Sequence, residues 1–230
     1  MQSKKAMHQS HKKFNRYTLF FYFAAVFSFI SFALLVPQVR GVQWINGWHN
    51  PALDIVFAGI TNLGDGIFIV LFSALLLFFR FYLSIALLVN GVCQALVVSL
   101  FKRLLFPEAL RPIAYLDPAT VHFVEGVNVH RFMSFPSGHT ITIFGLCVFL
   151  SLCSRNRVVT ILLLAISVLV ALSRVYLLQH FVMDIAAGAF IGYGIGILSY
   201  RYFEKLSKPQ WMMQRIEIRV RKSNPKPKFS

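Results

Sequence analysis

Acid is scarce in this chain. Only 8 of its 230 residues are Asp or Glu, against 23 Lys and Arg, and charged residues together reach 13%. A soluble domain carries roughly 25% charged residues, so a water-covered globule is excluded. Cysteine is sparse too. Cys93, Cys147 and Cys153 form no CxxC pair and sit inside apolar runs, so each is expected as a small buried hydrophobe, silent about redox compartment. No internal repeat, no small-residue cleavage signature behind the N-terminal basic stretch, and no nucleic-acid-binding module can be found.

What remains is apolar. Hydrophobic residues make up 57% of the chain, 24 residues are Phe, and the mean hydropathy is +0.65. These values predict an all-α polytopic membrane protein of one domain. Six spans of about 20 residues are expected as a bundle: Tyr17–Val36, Leu63–Phe79, Phe81–Phe101, Pro136–Cys153, Val158–Leu178 and Phe181–Tyr200. The second is the weakest, because Gly64, Asp65 and Gly66 crowd its start. Pro37, Pro107 and Pro112 punctuate the chain. Asn50-Pro51 predicts a short interfacial helix over Ala52–Ile60, with Trp44 and Trp48 at headgroup level. Gly188, Gly192 and Gly196 form a double GxxxG row, which serves either a dimer face or close packing inside one bundle; the oligomeric state stays open.

Charge sets the orientation. Residues 1–16 and 204–230 read as basic tails around a membrane domain of residues 17–203. The tails, Arg80, Arg155 and Arg157 outweigh Arg40, Lys102, Arg103, Arg111, Arg131 and Arg174 on the other side, so both termini are expected in the cytoplasm. The basic excess suits anionic membrane lipids, with no nucleic acid implied. The same count places the long third-to-fourth connection, and the polar ends of spans three to six, on the extracytoplasmic face.

Those ends carry chemistry. Ionisable groups at membrane-span ends are costly and therefore functional candidates. Pro136-Ser137-Gly138-His139 reads as a helix start, with Pro136 in the first turn and the Ser137 and Gly138 N–H groups free for an anion. His139 is placed to donate a proton. His180 and Asp184 are four residues apart, so on a helix they share a face, and Asp184 can orient the imidazole for attack. Arg174 and Arg111 offer planar donors for phosphate oxygens. A metal held by His122, His130, His139 and His180 is disfavoured, because the surrounding cations suit an anion.

Together these residues resemble the type 2 phosphatidic acid phosphatase superfamily, which shares its site with vanadium haloperoxidases. The family pattern has three blocks, K-x6-R-P, P-S-G-H and S-R-x5-H-x3-D. The second matches at Pro136–His139 and the third at Ser173–Asp184. In the first, Arg111-Pro112 is present but Leu104 stands where Lys belongs. Lys102 is preferred as the ligand, across a loop longer by two residues, and Arg103 is the alternative. The resemblance implies a metal-independent, cofactor-free phosphatase working through a phosphohistidine. In it, His180 is the nucleophile, Asp184 its orienter and His139 the general acid. Lys102, Arg111, Ser137, Gly138 and Arg174 bind the phosphoryl group. The implied substrate is a lipid phosphate in the outer leaflet of an inner or plasma membrane: polyprenyl diphosphate, phosphatidic acid, phosphatidylglycerol phosphate or a lipid A phosphate. The reading leans to the polyprenyl or phosphatidyl kinds. The alternatives are a transporter or binding protein without chemistry, and a vanadate-dependent haloperoxidase.

The orientation is open to a direct test. A reporter fused after Ser230 should read cytoplasmic, and a cysteine placed at Asn128 should be labelled from outside; the opposite pattern overturns the charge argument.

Overall fold

The computed structural model describes the backbone of residues 2–206 and the side chains of residues 15–206. Within them every regular element is helical. The α-helices are α1 (Gln2–Leu35), α2 (Gln38–Asn46), α3 (Pro51–Ile60), α4 (Gly66–Leu77), α5 (Phe81–Ser99), α6 (Gly138–Ser154), α7 (Arg157–Tyr176) and α8 (Val182–Lys205). Most of the tail expected over 204–230 lies outside the described residues, and the basic N-terminal stretch continues as the first turns of α1.

Local chemistry starts and stops these helices. Pro37 follows the end of α1 and precedes α2. Asn50, Asp65 and Asn156 each accept a hydrogen bond from a first-turn backbone N–H, of Leu53 (3.0 Å), Ile67 (2.9 Å) and Val158 (2.9 Å). Such caps satisfy donors that the helix itself leaves unpaired.

By length and composition, residues 15–35 of α1, α5 with its continuation to Leu105, α7 and α8 are long and apolar enough to cross a membrane. The other two expected spans take different forms. Residues 63–79 are not one straight helix: α3, a 3₁₀ turn (Thr61–Gly64) and α4 make a pair bent by 66°. The break falls at the Gly64-Asp65-Gly66 sequence, where Asp65 caps a new helix instead of continuing the old one. The short helix expected at Ala52–Ile60 is therefore half of this bent pair, and α2 is an additional helix. The fourth, α6, has 17 residues. Large side chains such as Phe20, Phe27, Leu71, Leu96, Leu162 and Leu198 point outward, as bilayer contact requires. Cys93 and Cys153 are on that surface as well, and only Cys147 is buried as expected.

α6 is the central helix, buried along most of its length. It lies directly against α8. A Cβ added to Gly192 would stand 2.5 Å from the Ile141 carbonyl oxygen, and one on Gly196 would stand 2.8 Å from that of Gly145. The GxxxG row is thus spent inside the bundle, bringing two backbones together. Polar bonds join other helices: Tyr22 to Ser151 (3.1 Å), Asn90 to Ser199 (2.9 Å) and Ser84 to the Ser73 carbonyl (2.6 Å). Where apolar surfaces meet lipid as readily as each other, such bonds specify which helices pair.

The Gly192 contact carries a consequence for stability. Gly192→Val should destabilise the protein by at least about 1–3 kcal/mol through overpacking, read as a lowered Tm in detergent. Gly194→Ala, where nothing lies within 4 Å of the added Cβ, should leave Tm within a degree or so of wild type.

Candidate active site

The close approach of α6 and α8 sets the first feature of the site. It brings the start of α6 onto the start of α8, where the Ser137 N–H donates to the Asp184 backbone oxygen at 3.1 Å. Ser137 is the residue before α6, and the helix begins at Gly138. Pro136 therefore precedes the helix, joined to Phe135 by a cis peptide bond, and is not in its first turn. The Ser137 N–H is likewise taken, contrary to its expected freedom. The buried Ser137 hydroxyl accepts from Thr140 Oγ1 at 3.0 Å.

His180 and Asp184 meet as the spacing predicts, but not across a helix face. α7 ends at Tyr176, Leu178 takes a left-handed backbone (φ 58°), and α8 begins at Val182. His180 is thus in the turn. Asp184, in the first turn of α8, reaches back to it: Asp184 Oδ2 lies 3.2 Å from His180 Nδ1. The same oxygen accepts from the Phe181 N–H at 2.9 Å and from Ser134 Oγ at 2.5 Å. Both members of the pair are buried. An imidazole whose Nδ1–H is held by a carboxylate presents Nε2 as its free, basic atom.

The cations act on that ring through their charge. Burial, then the positive charges of Lys102, Arg111, Arg174 and His139, hold His180 well below the ordinary imidazole range. Every cationic residue picked from sequence for the phosphoryl group, Lys102 included, thus acts on one ring. Arg111 is buried in the loop after α5, donating through Nε to the Phe132 oxygen (2.9 Å) and through a terminal nitrogen to Gln179 Oε1 (2.6 Å). Burial lowers its basicity and Asp184 partly restores it. Arg174, in the last turn of α7, donates to Thr61 Oγ1 at 2.7 Å. Its Nε is buried without a hydrogen-bond partner among the described residues, an uncommon state for a buried donor.

Lys102 and Arg103 separate clearly. After Ser99 the α5 helix widens into a π-helical turn, Leu100–Leu105, a form frequent at functional sites. On it Lys102 is half-buried and Arg103 exposed. Lys102 also lines a cleft of about 540 Å³ between α4, α5 and α6, together with Asp65, Gly138 and His139.

Several supporting residues carry no motif signal. Thr61 holds Arg174, Ser134 holds Asp184, and Gln179 ties Arg111 to the loop through the Asn128 oxygen (2.7 Å). Gly64 is packed so close that an added Cβ would be 2.9 Å from His139 Cβ. The long loop is a fixed wall. Asn46 accepts from the His122 N–H (2.8 Å) and donates to the oxygens of His122 and Tyr176, both at 2.9 Å. His122 bonds to Asp54 at 2.8 Å and stacks on His49. It therefore lies with Asp54 and not with His139 and His180. No group of three His, Cys, Asp or Glu among the described residues is placed to hold a metal.

The structure thus joins a buried His–Asp pair to the positive charges of three cationic side chains at one end of an apolar helical bundle. The family model of the PAP2 superfamily matches residues 77–208, and the chain belongs to that superfamily. It is 30% identical over 180 residues to a lipid A 4'-phosphatase of Porphyromonas gingivalis, covering 73% of each chain. It is 29% identical over 177 residues to a lipid A 4'-phosphatase of Bacteroides thetaiotaomicron, covering 71% of this chain and 76% of that one. Among solved structures it resembles Aquifex aeolicus LpxE, with a TM-score of 0.62, 25% identity, and coverage of 72% of this chain and 95% of that one. A transmembrane PAP2-type phosphatidylglycerolphosphate phosphatase from Bacillus subtilis shares the fold, with a TM-score of 0.58, 24% identity, and coverage of 84% and 98%. The protein is an integral membrane protein of this superfamily.

The placement of the two neighbouring cations yields a clear expectation. Lys102→Ala should lower phosphate-release kcat by about 10²–10³-fold, the usual cost of one oxyanion donor. Arg103→Ala should stay within about twofold of wild type, as a surface change. The reverse order would reassign the role to Arg103.

Proposed function

We propose that this chain is a membrane lipid phosphatase that transfers the phosphoryl group to His180 and then to water. The observation that supports it most is the His180–Asp184 pair, held by Ser134 and the Phe181 N–H, beneath Lys102, Arg111 and Arg174. His180 Nε2 attacks phosphorus as the bond to the lipid oxygen breaks. His139 gives that oxygen a proton. Water then attacks the phosphohistidine, His139 takes its proton, and the P–N bond breaks to release inorganic phosphate. Lys102, Arg111 and Arg174 bear the charge of the phosphoryl oxygens, aided by the Ser137 hydroxyl and the Gly138 N–H. The orphan Arg174 Nε is a donor that such an oxygen would satisfy.

We place the site on the extracytoplasmic face, on the basic bias of the opposite loops. A lipid would reach it along the cleft that Lys102 and His139 line, keeping its tails in the bilayer. For the substrate we favour a lipid A phosphate, because both curated relatives act on lipid A. This replaces the lean to polyprenyl or phosphatidyl phosphates that the motifs alone suggested.

Phosphate release from lipid A, polyprenyl diphosphate, phosphatidylglycerol phosphate and a soluble ester should rank lipid A first; a soluble ester ahead of every lipid would defeat the lipid reading. His180→Ala should abolish turnover, and Asp184→Asn should lower kcat by about 10⁴-fold, as loss of the orienting carboxylate does in hydrolase triads. The pH profile tests the same pair. His180 must be neutral to attack, and its environment keeps it neutral below the ordinary value of about 6.5. Its acid limb should therefore be shifted down, with kcat/KM at pH 5.5 within about twofold of that at pH 7, where an unshifted imidazole would cost about eightfold. An eightfold loss assigned to His180 would overturn its assignment as a depressed nucleophile.

A further inference from the structure

The end of the bundle opposite the site carries a second cleft. Four stretches of sequence meet there: the turn at Phe79-Arg80 between α4 and α5, the Ser154-Arg155 end of α6, the first turns of α7 with Val159 and Leu163, and the last turns of α8 from Tyr200 to Glu204. With 17 residues in α6 and a rise of 1.5 Å each, this end is about 25 Å from His139. The cleft encloses about 700 Å³, the size of a typical ligand pocket. Its walls are apolar and aromatic, with Phe79, Leu83, Phe149, Leu150, Leu163 and Phe203 among them.

Its rim is charged. Arg80 and Arg155 contribute two positive charges and Glu204 one negative charge, leaving the cleft one net charge positive. Glu204 is already engaged, accepting from the Tyr200 hydroxyl at 2.8 Å and lying 3.9 Å from the Arg155 guanidinium. The exposed Arg80 side chain makes no hydrogen bond or ion pair among the described residues. The αL backbone of Arg155 (φ 52°) ends α6 and turns the chain over this rim. A guanidinium above an apolar wall is the pattern that receives a phosphodiester with its acyl chains below.

We propose that this cleft is a binding site for one anionic glycerophospholipid, separate from the catalytic site. The phosphodiester pairs with Arg80 and Arg155, and the acyl chains run against Phe79, Leu83, Phe149 and Leu163. Charge selects the occupant: a phosphatidylglycerol-type lipid brings the one negative charge that the rim lacks, and a zwitterionic lipid brings none. The inference does not depend on the phosphatase reading, because none of these residues approaches His180.

Native mass spectrometry of the full-length, delipidated protein in detergent decides it, with phosphatidylglycerol and phosphatidylethanolamine of matched chains as the probes. Wild type should retain one phosphatidylglycerol about tenfold more tightly than phosphatidylethanolamine, the scale of one charge-assisted contact. Arg80→Gln should erase that preference. Leu83→Trp, which fills the apolar wall without changing charge, should cut retention of phosphatidylglycerol to a similar degree. Both variants should keep the wild-type Tm in detergent, which reports folding. Equal retention of the two lipids by wild type, or a preference untouched by Arg80→Gln, overturns the proposal. Full retention in Leu83→Trp also overturns it, since charge at the surface and not the cleft would then hold the lipid. Should Arg80→Gln fail the Tm check, wild type and Leu83→Trp decide the matter alone.

Discussion

One carboxylate organises the active end of this molecule. Asp184 Oδ2 meets three elements at once: the Ser134 hydroxyl from the long loop, the Phe181 N–H from the turn before α8, and the His180 ring. Its backbone oxygen takes the Ser137 N–H at the start of α6. A buried charge is tolerated only when its lone pairs are met, so the loop, the turn and both helix starts must be in register for Asp184 to sit there. The glycine row of α8 makes this possible, since any side chain at Gly188 or Gly192 would hold α6 away.

The Arg111 and Arg174 side chains near that carboxylate are held by neutral oxygens. Arg111 spreads its donors over Phe132 and Gln179, and Arg174 reaches Thr61 while leaving Nε unmatched. Positive charges acting together on one ring suit a multiply charged oxyanion, as the proposed function requires. Burial first, and then the same positive charges, hold His180 well below the ordinary imidazole range. In the proposed mechanism the charges that bind the anion are thus also among those that lower the basicity of the attacking imidazole.

Much of this was legible in the motifs. His180, Asp184 and Arg174 lie within twelve residues, and local spacing brings such residues together in almost any compact turn. The reason for the pairing was not legible. Helical i,i+4 geometry predicted the contact, yet His180 stands outside α8 and Asp184 reaches back as a first-turn acceptor. The family pattern favoured Lys102 over Arg103, but the π-helical turn that leaves Lys102 half-buried and Arg103 exposed could not be read from it. Thr61, Ser134 and Gln179 were invisible. Each contributes an ordinary polar atom, made important only by what lies opposite.

By itself the sequence determined the helical class of fold, the apolar segments and the family motifs, because hydropathy and short-range spacing act locally along the chain. Tertiary structure decided the rest. It bent the Pro51–Leu77 segment at Asp65, packed the GxxxG row against α6, and brought His139, Lys102, Arg111 and Arg174 within electrostatic reach of His180. These are distances between residues far apart in sequence. They follow from which helix faces can approach closely, and that depends on every packed side chain at once.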